Sequence, residues 1–150
     1  MTGHVSVLRR GAAASAVPPQ TADLLARADA ELLAAQFSGE PWEKFSHAHL
    51  AALRAGAGLV AARGRPAGRG APRTVWGMLD SVAPEVHTYS AFFAQSAPLR
   101  SAVDAGRFDL VSEARAERAL CAAEDLVDAV RALLAEGADG ADVPHVATAR

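Results

Sequence analysis

The chain has 150 residues, 51% of them apolar and 21% charged, with a formal net charge of −2 at pH 7. That length supports one domain with its own core and not two ordinary ones, and the charge balance gives no whole-molecule attraction for nucleic acid or an acidic membrane. The single cysteine, Cys121, excludes an internal disulfide and a cysteine-based zinc site and fits a reducing, cytoplasmic compartment, while no apolar run approaches the roughly 18 residues of a membrane helix.

Residues 1–19 carry two arginines followed by small residues and end at Pro18-Pro19, without the bulky hydrophobes of a signal core. They read as a disordered tail. Thr21 is placed to cap a helix running to about Phe37, with Leu24, Leu25, Ala28, Leu32 and Ala35 on one stripe. Gly39 breaks it, and Pro41 suits the first turn of a second helix over about Trp42 to Ala62. Trp42, Phe45, Leu53 and Val60 share a narrow arc there, with Gly56 between them.

The stretch "RGRPAGRGAPR", Arg63 to Arg73, is too rich in Gly and Pro to be helical. A short helix, Thr74 to Ala83, turns Val75, Trp76, Leu79 and Val82 inward. Pro84 starts another, to about Ser96, carrying Val86, Tyr89, Phe92 and Phe93, and Pro98 and Gly106 bracket one further short turn of helix. Ser112 caps the longest helix, to about Glu136, whose Ala116, Ala119, Leu120, Ala123, Val127, Val130 and Leu134 form a continuous face. Residues 137–150 lack periodicity and read as a second disordered tail. With no alternation of period two, the fold class is all-α: one helical bundle of four to five helices over residues 20–136.

His47 and His49 lie in the second helix, where two residues at about 100° each nearly reverse direction, so the pair cannot chelate one metal from an intact helix. His49 falls on the apolar arc and reads as a core histidine with a hydrogen-bond partner. His47 falls on the side of Glu43, four residues before it, spacing that permits a surface ion pair of about 0.3 kcal/mol. Cys121 sits between Glu117 and Asp125, with no base to activate it, and reads as inert. No Ser-His-Asp signature, phosphate-cradling glycine motif or HExxH is present, and neither a metal nor a cofactor is expected.

Taken together, "PWEKFSHAHLAALRAGAGLVAARG", the arginine-rich loop, "TVWGMLDSVAPEV" and the closing "VSEARAERALCAAEDLVDAVRALL" resemble the HEPN domains, and most closely their small single-domain branch in high-GC bacteria. The genome bias agrees, since alanine is abundant and Lys44 is the sole lysine among 15 basic residues. The resemblance implies a helical bundle that often dimerises. Many members of the family are endoribonucleases, and others have lost activity and bind nucleic acid or a partner protein. Active members carry Arg, four to six residues, then His, the arginine holding the scissile phosphate while the histidine moves a proton. Here none of His47, His49, His87 and His145 has an arginine five to seven positions before it, and Arg107 has no histidine among Ser112, Glu113 and Ala114. No catalytic residue carries over.

What remains is the loop, where Arg63, Arg65, Arg69 and Arg73 stand with no acid among them. Its "RGRP" equals the core of the AT-hook, which lies in the minor groove of A·T-rich DNA. Three readings stay open: minor-groove recognition, nonspecific phosphate contact with RNA or DNA, and a solvated connector. On the last helix Glu113, Glu117, Glu124 and Asp128 project to one side, relieved only by Arg131, either as a solvated face or as the acidic half of a homodimer or partner contact. The expectation is a noncatalytic binding or adaptor domain. The alternative is an unconventional ribonuclease using His47 or His87.

Overall fold

Pro18 and Pro19 start the first helix, α1 (Pro19–Phe37), because a proline at the first helical position has no N–H to leave unpaired and already holds the helical φ. In this computed structural model, which describes residues 17–142 with side chains to Ala138, the expected cap by Thr21 is not made. Thr21 lies inside α1, fully buried, and its Oγ1 donates to the Gly58 carbonyl at 2.8 Å. The tight turn after α1 is closed by Ser38, whose N–H donates to Ala35 O at 3.2 Å and whose hydroxyl donates to Ala34 O at 2.7 Å.

Helix α2 (Pro41–Arg63) again begins on a proline and is the centre of the domain, touching each of the other four helices. Its small residues permit this. Ala48, Ala51, Ala52, Ala55, Gly56 and Gly58 are buried, so neighbouring backbones approach closely, while Phe45, Leu59 and Val60 fill the space between them. Gly64, at φ +97°, ends the helix, its N–H donating to Val60 O at 2.9 Å.

The short α3 (Val75–Val82) is capped by Thr74, whose hydroxyl accepts the Gly77 N–H at 3.0 Å. It buries Trp76, Met78 and Leu79. A 3-10 turn, Pro84–Val86, leads into α4 (His87–Asp104). The break expected at Ser96–Pro98 is absent: α4 runs straight through Pro98. Only one backbone bond, to the Ala94 carbonyl, is lost there, and Ala94, Gln95 and Pro98 are exposed, so water can serve that carbonyl while Phe93 and Val103 remain buried on the other side. At its end the Gly106 N–H donates to Val103 O at 2.8 Å and the Arg107 N–H to Ala102 O at 2.9 Å, the paired bonds of a Schellman turn, with Gly106 at φ +91°.

After a second 3-10 turn, Phe108–Leu110, helix α5 spans Glu113–Asp142. Ser112 caps it as expected, its hydroxyl accepting the Arg115 N–H at 3.1 Å. The backbone stays helical beyond Glu136 to Asp142, past the expected start of the C-terminal tail; residues 1–16 and 143–150 lie outside the described residues. Ala116, Ala119, Leu120, Ala123, Val127 and Val130 are buried against the other helices, joined by Leu126. The described residues therefore form an all-α bundle of five helices, α1, α2 and α5 making one side and α3 with α4 closing the other across α2. No helix among them is long and apolar enough to cross a membrane.

Candidate functional site

The arginine loop is held at both ends. On one side Arg63 is the last residue of α2 rather than part of the loop, and its guanidinium donates to Glu85 Oε1 at 2.9 Å and to the Val82 carbonyl at 3.0 Å. That bond holds the Glu85 carboxyl below the usual carboxylate range. On the other side Pro72 packs over Gly77: a Cβ on Gly77 would lie 2.9 Å from Pro72 Cβ and 3.2 Å from Thr74 Oγ1. Arg65 and Arg69 between these anchors and Arg73 just after Pro72 are exposed, and no acid among the described residues lies within ion-pair distance of them. Of the four arginines named from sequence, Arg63 is thus engaged with the fold and the other three are exposed.

The acidic side of α5 is not uniformly solvated. Lys44 of α2 donates to Glu117, Gln36 of α1 donates to Glu124 at 2.8 Å, and Arg131 reaches past its own helix to bind Asp29 of α1 through two bonds, at 2.7 and 2.9 Å. These charges stitch α5 to α1 and α2, which leaves less of the stripe for a second copy of the chain. Cys121 is exposed beside Glu117 and Asp125 in a shallow groove with Tyr89 and Phe92.

The histidines separate into three environments. His49 is buried, with 4% exposure, in an aromatic cage of Phe45, Trp76 and Phe93, whose ring centroids lie 6.0, 6.0 and 5.5 Å away. The expected hydrogen-bond partner is missing at Nδ1, which is buried with none among the described residues. Burial, and then the positive charge of Arg100, push its pKa down to about 4, against a small opposing pull from Asp104, so His49 is neutral at physiological pH.

His47 does not pair with Glu43. Its Nδ1 lies 2.7 Å from Glu31 Oε1 of α1, and Arg54, two turns along α2, approaches the other Glu31 oxygen at 3.7 Å, an ion-pair distance too long for a hydrogen bond. Sequence reasoning missed this cluster because Glu31 is on a different helix. Arg54 Nε is buried without a hydrogen-bond partner among the described residues.

His87 opens α4, mostly exposed, with Nδ1 3.0 Å from Asp80 Oδ1, and the buried Ser90 donates to the same oxygen. Burial pushes the Asp80 carboxyl up, but the Ser90 and His87 bonds outweigh it and hold the group below its ordinary range. Asp80, not the histidine, sits between the other two, so serine and imidazole are not arranged for proton transfer between them. No group of three or more His, Cys, Asp or Glu able to hold a metal ion occurs among the described residues.

An all-helical bundle built on a small-residue central helix, with a cationic loop between its second and third helices, defines the class of protein. Compared with protein families, the chain matches the SAV_6107-like HEPN family over residues 35–131 and belongs to it. Comparisons with curated proteins and with solved structures found no match.

Proposed function

We propose that this HEPN domain is a noncatalytic binding module that contacts the phosphate backbone of nucleic acid through Arg65, Arg69 and Arg73. The observation that carries the reading is the exposure of three arginines on one anchored loop with no acid among the described residues paired to them, on a chain that is otherwise slightly acidic. Guanidinium groups match phosphate oxygens in charge and in paired-donor geometry, and the released counterions make such binding steeply dependent on salt. The absence of the Arg-x4-6-His spacing supports a binding rather than a cleaving role. The test is binding of labelled single-stranded RNA, mixed-sequence duplex DNA and A·T-rich duplex across a salt series. Affinity should fall with salt and be lost when Arg65, Arg69 and Arg73 are replaced by alanine. Undiminished binding in that variant overturns the reading, and a preference for A·T-rich duplex would identify the minor groove as the target.

A second reading rests on the Glu31–His47–Arg54 cluster, which gathers a base, a cation and an orienting carboxylate at one half-buried place. With Nδ1 held by Glu31, the other ring nitrogen of His47 is left for proton transfer and Arg54 for a phosphate, the chemistry of a ribonuclease without the usual motif. Specific cleavage products from cellular RNA that vanish with His47→Ala would establish it in place of the first reading.

A further inference from the structure

Beneath the arginine loop lies a recess of about 330 Å³ between α1, α2 and α3, at the lower end of the size range of small-molecule sites. Ala57, Val60 and Ala61 of α2 and Val75 and Met78 of α3 line it. Two polar residues, Gln20 and Arg65, line it with them, and no carboxylate among the described residues does. Other recesses of the domain differ on this point. The one at the α1–α2 turn is lined by Glu40, Glu113 and Glu117, and the groove between α4 and α5 by Glu117 and Asp125. Those two also hold one cation each, Lys44 and Arg118, and a third recess, between the start of α1 and the ends of α2 and α5, pairs Arg63 with Glu136, so at each of them carboxylates offset the positive charge, whereas at the loop Arg65 is not offset and favours an anionic ligand.

Resting on the nucleic-acid reading above, we infer that this recess takes one unstacked nucleobase of a single strand whose phosphate is held by Arg65. The occupant that fits these walls has an apolar body, a polar edge and an adjacent negative charge. A nucleotide has all three: its base face can lie against the alanine, valine and methionine side chains, its edge can exchange hydrogen bonds with an amide that offers both donors and an acceptor, and its phosphate meets the guanidinium. A duplex keeps its bases stacked and would first have to extrude one, at a cost of a few kcal/mol, so the recess favours single strands. Arg69 and Arg73, outside the recess, bind backbone regardless of strandedness and base.

The test compares a short labelled single strand, an abasic strand of the same length and the matched duplex, each with the full chain. The base-bearing strand should bind about tenfold more tightly than the abasic one, as expected for one well-held base. Ala61→Leu, which fills a partly exposed position of the recess, should erase that difference while leaving duplex binding as it was. Gln20→Ala, on the surface, should change the preference among the four bases without altering affinity for the abasic strand, and it keeps the test sound if the leucine variant misfolds. Equal binding of base-bearing and abasic strands, lost in the triple arginine variant, overturns the recess and leaves the loop reading standing. No binding of any probe at low salt overturns the loop reading and the recess with it.

Discussion

Thr21 donates its hydroxyl proton to the carbonyl of Gly58, 37 residues away, at the crossing where α1 lies against α2. The two residues depend on each other's size. A Cβ on Gly58 would meet Thr21 Cγ2 and O at 3.6 Å, ordinary contact, whereas at Gly56, half a turn earlier, it would meet Leu79 and Val75 at 3.3 Å.

Opposite outcomes follow for the two glycines. Gly58→Ala should be neutral or stabilising by about 0.5–1 kcal/mol, because it fits and removes the backbone freedom of a mid-helix glycine in the unfolded chain. Gly56→Leu should overpack the contact with α3 and destabilise by about 1–3 kcal/mol. Thr21→Val, which keeps the shape and deletes the hydroxyl, should lose about 1 kcal/mol. Urea unfolding of the three variants checks the ordering, and an unchanged midpoint for Gly56→Leu would show that the α2–α3 face is not tightly packed.

Gly77 sits where α3 begins and where Pro72 closes the arginine loop. Because an added Cβ would stand 2.9 Å from the rigid proline ring and crowd the Thr74 cap, Gly77→Ala should shift the loop and lower stability by about 1–2 kcal/mol. It should also weaken nucleic-acid binding relative to Gly77-containing protein, although no charge has changed. Thermal melts and the salt-series binding assay read the two effects separately.

Glu31 holds both His47 and Arg54, so Glu31→Gln should destabilise by about 1–2 kcal/mol, much of it from leaving half-buried Arg54 without a counter-charge. Glu43→Gln should change stability by less than about 0.5 kcal/mol, as for an ordinary surface substitution. A double-mutant cycle between Glu31 and His47 should show coupling, and one between Glu43 and His47 should not. Coupling only in the second cycle would restore the intrahelical pairing that spacing alone suggests.

Periodicity made the architecture legible because each helix carries its buried face in its own residues: Leu25, Ala28 and Ala35 in α1, and Ala116 to Val130 in α5, are found where the 3.6-residue period puts them. What escaped it was partnership across helices. Thr21 has a cap's residue type and spacing, but the helix already begins at Pro19 and leaves it inside. Pro98 looked like a stop because exposure of its face is a tertiary property. Spacing matches His47 to Glu43, its neighbour in sequence, whereas Glu31 is its neighbour in space. Composition groups Arg63 with the loop, and only the fold shows Glu85 and Val82 drawing it away. The loop itself was plain in the sequence, but the recess beneath it, joining Gln20 to Arg65 and Met78, was not.

His49 sets a pH dependence whose sign follows from burial. Its pKa in the folded chain is about 4, below the ordinary 6.5. Between those values the unfolded chain binds a proton that the folded chain does not, so stability falls as pH drops from about 6.5 to about 4 and this contribution levels off below. The full loss is about 3 kcal/mol at most. Asp80 and Glu85 act in a lower window: their carboxyls are held below the ordinary 3.8 and 4.5, so what they contribute is lost only as pH falls through and beneath those values. Urea unfolding at pH 7, 6, 5 and 4 separates the two, and His49→Leu is the decisive variant. It should flatten the profile between pH 6.5 and pH 4 while costing little stability at pH 7, since the imidazole Nδ1 it removes has no hydrogen bond to lose among the described residues. A profile that stays as steep in His49→Leu would assign the acid sensitivity to another group and show that the aromatic cage admits the charged imidazole.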